Sequence, residues 1–403
     1  MSVLFEPTRI GNIEVKNRIV RSATAERMVD KDGIATERLV NLYKLLAGGE
    51  IGTIITGHTS VDIRGRAGLQ MSSLETDAAI GPLKLVTDTV HKYETRILAQ
   101  ISHCGRYAPG AIIEQRPVAV WLDPNEEQRG QYPPQEAGPA DITYLIDAFV
   151  KAAVRAQEAG FDGVQIHAAH GYLCSQFLSP MFNRRTDDWG GSVENRARFL
   201  IEVIKLIRQR TGSGFHIWAK MNCEDCILRQ LEKSDLLPSM VGCNSLHSNS
   251  RSIEGGMTVD ESIATAKLLK TAGLDALEIS GGVTLDTIIR KGIPDKSPAR
   301  PGEQGEAGEA YFLEQAERFR SALPGFPLAL VGGMRSCAVM EKVVSGKGIN
   351  LVSMSRPFII DPQFGLKLKK GKTTSTCVSC NLCLGKKGEP VRCRALPKIF
   401  PTA

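Results

Sequence analysis

The sequence predicts an α/β protein: a closed (β/α)8 barrel, or TIM barrel, with a short cysteine-containing C-terminal tail. Short apolar runs alternate with amphipathic stretches along the 403 residues, which is typical of βα units and a parallel sheet. Eight such runs match the strand count of the barrel. An open doubly wound sheet would need a glycine-rich turn after its first strand, and no G-x-G-x-x-G occurs there.

Each element follows from this alternation. The predicted strands are Arg18–Ser22, Gly52–Thr56, Arg96–Ile101, Gly163–Ile166, His216–Met221, Ala276–Ile279, Leu328–Val331 and Ile349–Met354. The predicted helices are Leu145–Ala159, Glu194–Arg210, Val259–Ala272, Ala310–Leu323 and Ala338–Val344. We expect residues 1–375 to form the barrel and residues 376–403 to form a basic, cysteine-rich tail.

One segment does not follow the alternation of predicted strands and helices. Residues 226–254 contain a Ser/Asn-rich patch of low hydrophobicity and no period. Loops of this length are usually functional lids or disordered insertions. We interpret the segment as a poorly ordered insertion at the catalytic face, and a role as a lid stays open.

Small and polar residues follow the predicted strands. They are Ala23-Thr24, Gly57-His58, Ser102-His103, His167, Asn222, Ser280-Gly281-Gly282, Gly332-Gly333 and Ser355-Arg356. The C-terminal ends of barrel strands converge on one face, where active sites are built. The sequence therefore predicts the active site at these strand ends, with His58 and His103 as hydrogen-bonded lining residues.

One of these strand ends has three titratable side chains, His167, His170 and Tyr172, within six positions. Two imidazoles can donate hydrogen bonds to a carbonyl or anionic oxygen, and a phenol can deliver a proton. The cluster predicts chemistry on a polarised carbonyl compound. His-x-x-His is also half of a metal site, but no further ligands lie at metal spacing nearby. A structural hydrogen-bonding pair is the other alternative.

Composition bounds the function classes. The apolar fraction of 42% and the charged fraction of 23% are ordinary for a globular protein, and no run of about 18 apolar residues occurs. The N-terminus lacks the features of a signal peptide, so we expect a cytoplasmic protein. The net charge of +6 is concentrated in a tail without interleaved aromatic residues. We therefore expect neither nucleic acid nor membrane as a partner.

The segment His167–Pro180, continued by Asn183–Arg196, closely resembles the Old Yellow Enzyme family of flavin oxidoreductases. Within that family the likeness is to the branch of bacterial NADH:flavin oxidoreductases. Supporting matches are Lys16–Val20, Gln100–Arg106, Val331–Ser336 and Val352–Pro357. The likeness spans roughly residues 3 to 385, interrupted by the insertion.

The resemblance implies FMN at the barrel mouth, reduced by NADH or NADPH. The implied cofactor-binding residues are Ala23, Thr24, Ala25, Gly57, Gln100, Lys220, Gly332, Gly333, Arg335, Ser355 and Arg356. Lys220 matches the family cation that faces the N1/O2 edge of the flavin, and Gln100 matches the pyrimidine-binding amide. Gly332 and Gly333 would let backbone N–H groups approach the phosphate, with Arg335 or Arg356 adding charge-assisted bonds.

The resemblance also implies roles for the catalytic cluster. His167 and His170 match the pair that binds the substrate's carbonyl or nitro oxygen, and Tyr172 matches the proton donor to the α-carbon. The ordinary tyrosine pKa of about 10 keeps such a donor protonated at neutral pH. One departure is Ala25, which aligns with a flavin-tuning Thr or Cys, so the bond to flavin O4 is missing. Arg27 lies near a substrate-contacting position of some relatives, so substrate preference does not carry over.

The tail carries four cysteines spaced C-x2-C-x2-C-x9-C, namely Cys377, Cys380, Cys383 and Cys393. Four thiolates could hold zinc or an iron–sulfur cluster. Longer relatives hold a cluster at a similar place, but their second spacing is one residue longer and they feed it from a second flavin domain. We therefore favour a reduced, metal-free tail.

The sequence thus predicts an FMN-dependent oxidoreductase that takes hydride from NAD(P)H and reduces an enone, enal or nitroalkene. One alternative uses the same flavin site for another oxidation or reduction, of an amine, a ring or a nitro substrate. The other alternative is a degenerate flavin-binding barrel. The expected partner is a small-molecule substrate, and a homo-oligomer stays open.

Overall fold

The computed structural model describes residues 2–124, 130–225, 256–283, 306–384 and 389–395. Within them, eight parallel strands form a closed barrel, because each strand pairs with the next and the last pairs with the first. The strands are β1 (Ile19–Arg21), β2 (Thr53–Ile55), β3 (Arg96–Ser102), β4 (Gly163–Ala168), β5 (His216–Asn222), β6 (Ala276–Ser280), β7 (Leu328–Val331) and β8 (Leu351–Met354). The predicted barrel is confirmed. The predicted insertion at 226–254 lies outside the described residues.

Helices surround the barrel. The main ones are α1 (Glu37–Ala47), α2 (Ile80–His91), α3 (Pro139–Glu158), α4 (Val193–Thr211), α5 (Val259–Thr271), α6 (Leu313–Ala322), α7 (Cys337–Glu341), α8 (Arg356–Ile360) and α9 (Phe364–Lys369). Shorter α-helices span Gly110–Ile113 and Leu173–Leu178, and a π-helical turn at Lys342–Gly346 extends α7. Short strands outside the barrel are Thr8–Ile10, Ile13–Val15, Thr59–Ser60, Ser72–Ser73, Val118–Ala119 and Gln135–Glu136.

Helix ends follow local capping chemistry. Helix α3 begins at Pro139 rather than at the predicted Leu145, because proline suits the first helical position and Asp141 Oδ2 accepts the Gly138 N–H at 3.2 Å. Ser192 caps α4 by accepting the Asn195 N–H. No helix in the described ranges is long and apolar enough to cross a membrane.

The lower end of the barrel is closed by the N-terminal hairpin. Ile10, Ile13 and Val15 from the hairpin pack against inward side chains that include Leu98 and Trp218. This apolar plug fills the N-terminal half of the barrel interior. The buried polar cluster around Lys220 and Glu278 lies beyond this plug, toward the C-terminal ends of the strands.

Candidate active site

His167, His170 and Tyr172 lie together at the C-terminal end of β4. The ring centroids of His167 and His170 are 5.3 Å apart, and those of His167 and Tyr172 are 5.0 Å apart. His58, which follows β2, stacks on Tyr172 with ring centroids 5.8 Å apart. Burial raises the pKa of the Cys104 thiol, which is hydrogen-bonded to Tyr172, to about 12. The thiol therefore stays protonated beside the phenol.

His170 is held by the two strands that follow β4. Its φ of 65° lies in the left-handed region, which non-glycine residues adopt at a cost. Asn222 Oδ1, at the end of β5, accepts the His170 backbone N–H at 3.1 Å, and Asn222 Nδ2 donates to Asp225 at 2.9 Å. The Ser280 hydroxyl, at the end of β6, lies 2.8 Å from His170 Nε2. Nδ1 is therefore the ring atom of His170 left for a ligand.

The imidazoles of the cluster are neutral. Burial lowers the pKa of His167 well below its usual range. Electrostatic interactions with His170, His58 and Lys220 lower it further. Burial also lowers the pKa of His170 well below that range, followed by Lys220 and His58. His167 Nδ1 is buried and has no hydrogen-bond partner among the described residues. A neutral ring still offers one N–H donor, so the pair can bind an oxygen atom beside the Lys220 cation.

A cavity of about 260 Å³ opens at this end of the barrel. The predicted site residues that line it are Ala23, Thr24, Ala25, His170, Lys220, Gly332, Gly333, Ser355 and Arg356. Gly333 has a φ of 69°, and a Cβ atom at this position would lie 2.5 Å from the Gly308 carbonyl oxygen. Only glycine fits at this position, because of its positive φ and the close approach of the Gly308 carbonyl, and its backbone forms part of the cavity wall.

The chemistry of this wall fits FMN, which combines a flat ring with polar edges and a phosphate. Lys220 contributes a cation, and the buried Ser353 hydroxyl has no partner in the described part of the chain. The hydroxyls of Thr24 and Ser355 are 2.7 Å apart and join the ends of β1 and β8. Hydrogen-bonding groups at the ring edges and a glycine-rich backbone at the phosphate are what such a cofactor requires.

A chain of polar side chains crosses the barrel beneath the cavity. Gln100 Nε2 donates to Gln165 Oε1 at 2.7 Å, and Gln165 Nε2 donates to Glu278 Oε2 at 2.9 Å. The Ser22 hydroxyl donates to Glu278 Oε1 at 2.7 Å and accepts from Lys220 Nζ at 2.9 Å. Lys220 Nζ is also 3.6 Å from Glu278 Oε2. The predicted residues Gln100 and Lys220 are thereby joined through one buried carboxylate.

Three predicted cofactor residues, Gly57, Gln100 and Arg335, are not among the described residues that line the cavity. Two of them, Gly57 and Arg335, contact carboxylates. The Gly57 N–H donates to Glu26 Oε1 at 3.0 Å. The Arg335 N–H donates to Glu309 Oε2 at 2.6 Å, and its guanidinium Nε lies 3.8 Å from Glu309 Oε1. Direct contact of these two residues with FMN stays a prediction.

The tail forms part of the cavity wall. Ser379 and Val391 line the cavity. Arg356 Nη1 donates to the Ser379 carbonyl oxygen at 3.2 Å and to Asn381 Oδ1 at 2.8 Å. The Val391 N–H donates to the Glu26 carbonyl oxygen at 3.0 Å. The tail is therefore anchored to the loops after β1 and β8.

The tail cysteines surround a neighbouring cavity of about 190 Å³; they are Cys377, Cys380, Cys383 and Cys393. Burial raises the pKa of Cys383, and the negative charge of Cys377 adds to this effect. No group of three or more His, Cys, Asp or Glu side chains has metal-binding geometry among the described residues. Whether the tail is free of metal stays a prediction.

Sequence reasoning missed the buried chain that supports the site, which Ser22, Gln165 and Glu278 form. It placed Asn222 and Ser280 at the strand ends of the site, but it did not predict that they hold His170. A signal was present for Glu278, because it is an ionisable residue within an apolar run. A buried charge needs partners inside the protein, so such a residue indicates a polar interior at that level.

A closed parallel barrel with a cation-bearing, glycine-walled cavity at its C-terminal end defines an oxidoreductase of the flavin-binding type. The model of the NADH:flavin oxidoreductase / NADH oxidase family matches residues 3–247, and the chain belongs to this family. Membership confirms the predicted family of flavin-dependent oxidoreductases and FMN as its cofactor.

Similar proteins agree with this assignment. An NADH oxidase from Thermoanaerobacter brockii is 32% identical over 95% of this chain and 53% of its own length. An NADPH dehydrogenase from Geobacillus sp. (strain WCH70) is 30% identical over 94% of this chain and 97% of its own length. The chain spans about half the length of the first curated relatives that it matches, at 53%, 44% and 53%.

Solved structures support the fold. A complex of 2-naphthoyl-CoA reductase with 2-naphthoyl-CoA has a TM-score of 0.78 and 28% identity, over 95% of this chain and 54% of that one. An Old Yellow Enzyme homologue from Zymomonas mobilis has a TM-score of 0.69 and 23% identity, over 94% and 95%. The second likeness shows the shared barrel alone.

Proposed function

We propose that this protein takes hydride from NADH or NADPH through FMN and reduces an activated alkene such as an enone, enal or nitroalkene. The observation that carries the proposal is the cluster of His167, His170 and Tyr172, of which His170 lines the cavity. Two neutral imidazoles and a phenol form this cluster, with ring centroids 5.0 and 5.3 Å apart. This arrangement suits a substrate that needs both an oxygen-binding pair and a proton.

Bound FMN supplies the hydride in this chemistry. His167 and His170 hold the carbonyl or nitro oxygen of the substrate, and their N–H groups stabilise the negative charge that this oxygen acquires. Such hydrogen bonds are strong here because the surroundings are buried. Tyr172 holds the proton that the α-carbon receives, as a general acid.

Lys220 and the cavity wall serve the cofactor. The ammonium group of Lys220 stabilises negative charge on a reduced flavin, which favours acceptance of electrons from NAD(P)H. Gly332, Gly333 and Arg356 line the cavity and would hold the phosphate, the glycines through backbone N–H groups and the arginine through its positive charge. Substrate and NAD(P)H would use the same open face of the ring in turn.

The proposal is tested on purified protein loaded with FMN. We expect anaerobic NADPH or NADH to bleach the flavin absorbance, and 2-cyclohexenone or a nitroalkene to restore it. Tyr172→Phe should lower kcat on the enone by about 100-fold or more, as loss of a general acid does. Tyr144→Phe, at an exposed site on α3, is the matched control and should leave kcat unchanged.

The opposite outcomes are distinct. Flavin that is bleached by NADPH but is not reoxidised by any enone, enal or nitroalkene would overturn alkene reduction and favour another substrate class at the same site. Protein that cannot be reconstituted with FMN would overturn the flavin enzyme altogether.

A further inference from the structure

Among the described residues, the buried carboxylate of Glu278 is the group to which both arms of the polar chain beneath the cavity connect. One arm runs through Gln165 and the other through Ser22. It is fully buried. It accepts hydrogen bonds from Gln165 and Ser22 and forms an ion pair at longer range with Lys220. Two hydrogen-bond donors, one on each oxygen, and a nearby cation are what an ionised carboxylate accepts. Glu278 does not line the cavity itself.

The carboxylate dictates the direction of every bond in the chain. An ionised carboxylate only accepts, so the Gln165 amide must present its NH2 group to Glu278 and its carbonyl oxygen to Gln100. Gln100 must then turn its own NH2 group toward Gln165. The Gln100 carbonyl oxygen is left as the acceptor that a ligand can use, and the side-chain amide is held against flipping.

The same carboxylate acts on the charge at the cavity. Lys220 lines the cavity, and Glu278, its partner in the register of β5 with β6, lies 3.6 Å from its ammonium nitrogen. A negative charge at this distance in a buried setting offsets much of the field that the cation exerts on a bound ring. Removing it would strengthen the effect of Lys220 on an electron-rich cofactor.

We propose that Glu278 is a positioning residue for the cofactor: it fixes the Gln100 amide through Gln165 with its carbonyl oxygen directed to the flavin, and it offsets the charge of Lys220. The first effect sets which hydrogen bonds the ring edge receives. The second effect sets the reduction potential of the bound cofactor.

Two substitutions separate these effects. Glu278→Gln removes the charge and lets the amides of the chain reverse, so the midpoint potential of bound FMN should become more positive and the Kd for FMN should rise about tenfold. Gln165→Met breaks the link to Gln100 but keeps the charge, so the Kd should rise several-fold at an unchanged potential. Both quantities come from flavin titration and anaerobic redox titration, without substrate.

A control distinguishes positioning from general loss of stability. Glu261 forms an ion pair with Arg196 at 2.6 Å between α4 and α5, away from the cavity, and Glu261→Gln should leave the potential unchanged. An unchanged potential in Glu278→Gln would overturn the proposal. If that variant does not fold, a Kd within twofold of the wild type in Gln165→Met overturns the orienting role. Because no substrate is used, failure of alkene reduction leaves these readouts intact.

Discussion

The Ser280 hydroxyl lies 2.8 Å from His170 Nε2 and so fixes which atom of that imidazole faces a ligand. The two residues come from different strand ends, β6 and the loop after β4. Burial keeps the pKa of His170 well below its usual range, and the contact with Ser280 then sets the orientation of a neutral ring. Ser280 is therefore predicted to affect substrate binding more than cofactor binding.

Replacing Ser280 tests this relationship. We expect Ser280→Ala to raise KM for an enone about tenfold, because a buried hydrogen bond contributes roughly 1 kcal/mol and the freed ring can rotate. Ser280→Thr keeps the hydroxyl and should retain most of the affinity. FMN content, read from the absorbance ratio, should be the same in both variants. An equal KM in all three proteins would show that Ser280 does not orient the ring.

The buried His216 predicts a pH dependence of stability. Burial lowers its pKa from 6.5 to about 4, so the unfolded chain binds a proton between these values that the folded chain does not. The free energy of unfolding is therefore undiminished above pH 6.5 and falls as the pH drops toward 4. Between pH 7 and pH 5 this residue should account for about 2 kcal/mol of loss. Urea unfolding of His216→Gln should show a smaller loss over the same interval; an identical loss would exclude this group as its source.

Glu26 predicts a large cost of breaking a buried ion pair. Its carboxylate lies 2.8 Å from Arg21 and accepts hydrogen bonds from Tyr43 at 2.6 Å and Gly57 at 3.0 Å. Glu26→Gln should lower the free energy of unfolding by about 3 kcal/mol, because Arg21 is left buried without its counter-charge. Glu14→Gln, in an exposed pair with Arg9 at 3.7 Å, should change little. Equal effects in thermal unfolding would contradict this assignment.

Ala25 predicts a change in flavin potential. It lines the cavity, and the family resemblance aligns it with a flavin-tuning Thr or Cys. Ala25→Thr or Ala25→Cys should make the midpoint potential more positive, because a new donor stabilises the electron-rich ring. Redox titration of the variants and the wild type measures the shift. Identical midpoint potentials would contradict a tuning role for this position.

Arg356 predicts a link between the tail and the cofactor. Its guanidinium holds Ser379 and Asn381 while lining the cavity. Arg356→Gln should raise the Kd for FMN about tenfold and speed tryptic cleavage at the exposed Arg392. Lys369→Gln removes a surface cation without touching the tail and should do neither. Unchanged cleavage in Arg356→Gln would show that the tail is anchored by other contacts.

The sequence was sufficient for the barrel because each buried parallel strand is an apolar run that ends in polar residues. It was also sufficient to place His167, His170 and Tyr172, since they are adjacent in the chain. It could not show that Ser280 contacts His170, because that pairing is 110 positions apart and depends on strand register. Nor could it show that Glu309 accepts a hydrogen bond from the Arg335 N–H, because this contact depends on how the loop that precedes α6 packs against the loop that follows β7.

The contact between Thr24 and Ser355 joins positions 331 residues apart. Before β8 has been synthesised, β1 and β7 each have an unpaired edge, because β8 is the strand that pairs with both. The wall of the cavity is then incomplete. The cavity is therefore complete only once β8 has paired with β1. A ligand that binds across this seam favours the closed barrel by mass action, so saturation with FMN should raise the free energy of unfolding.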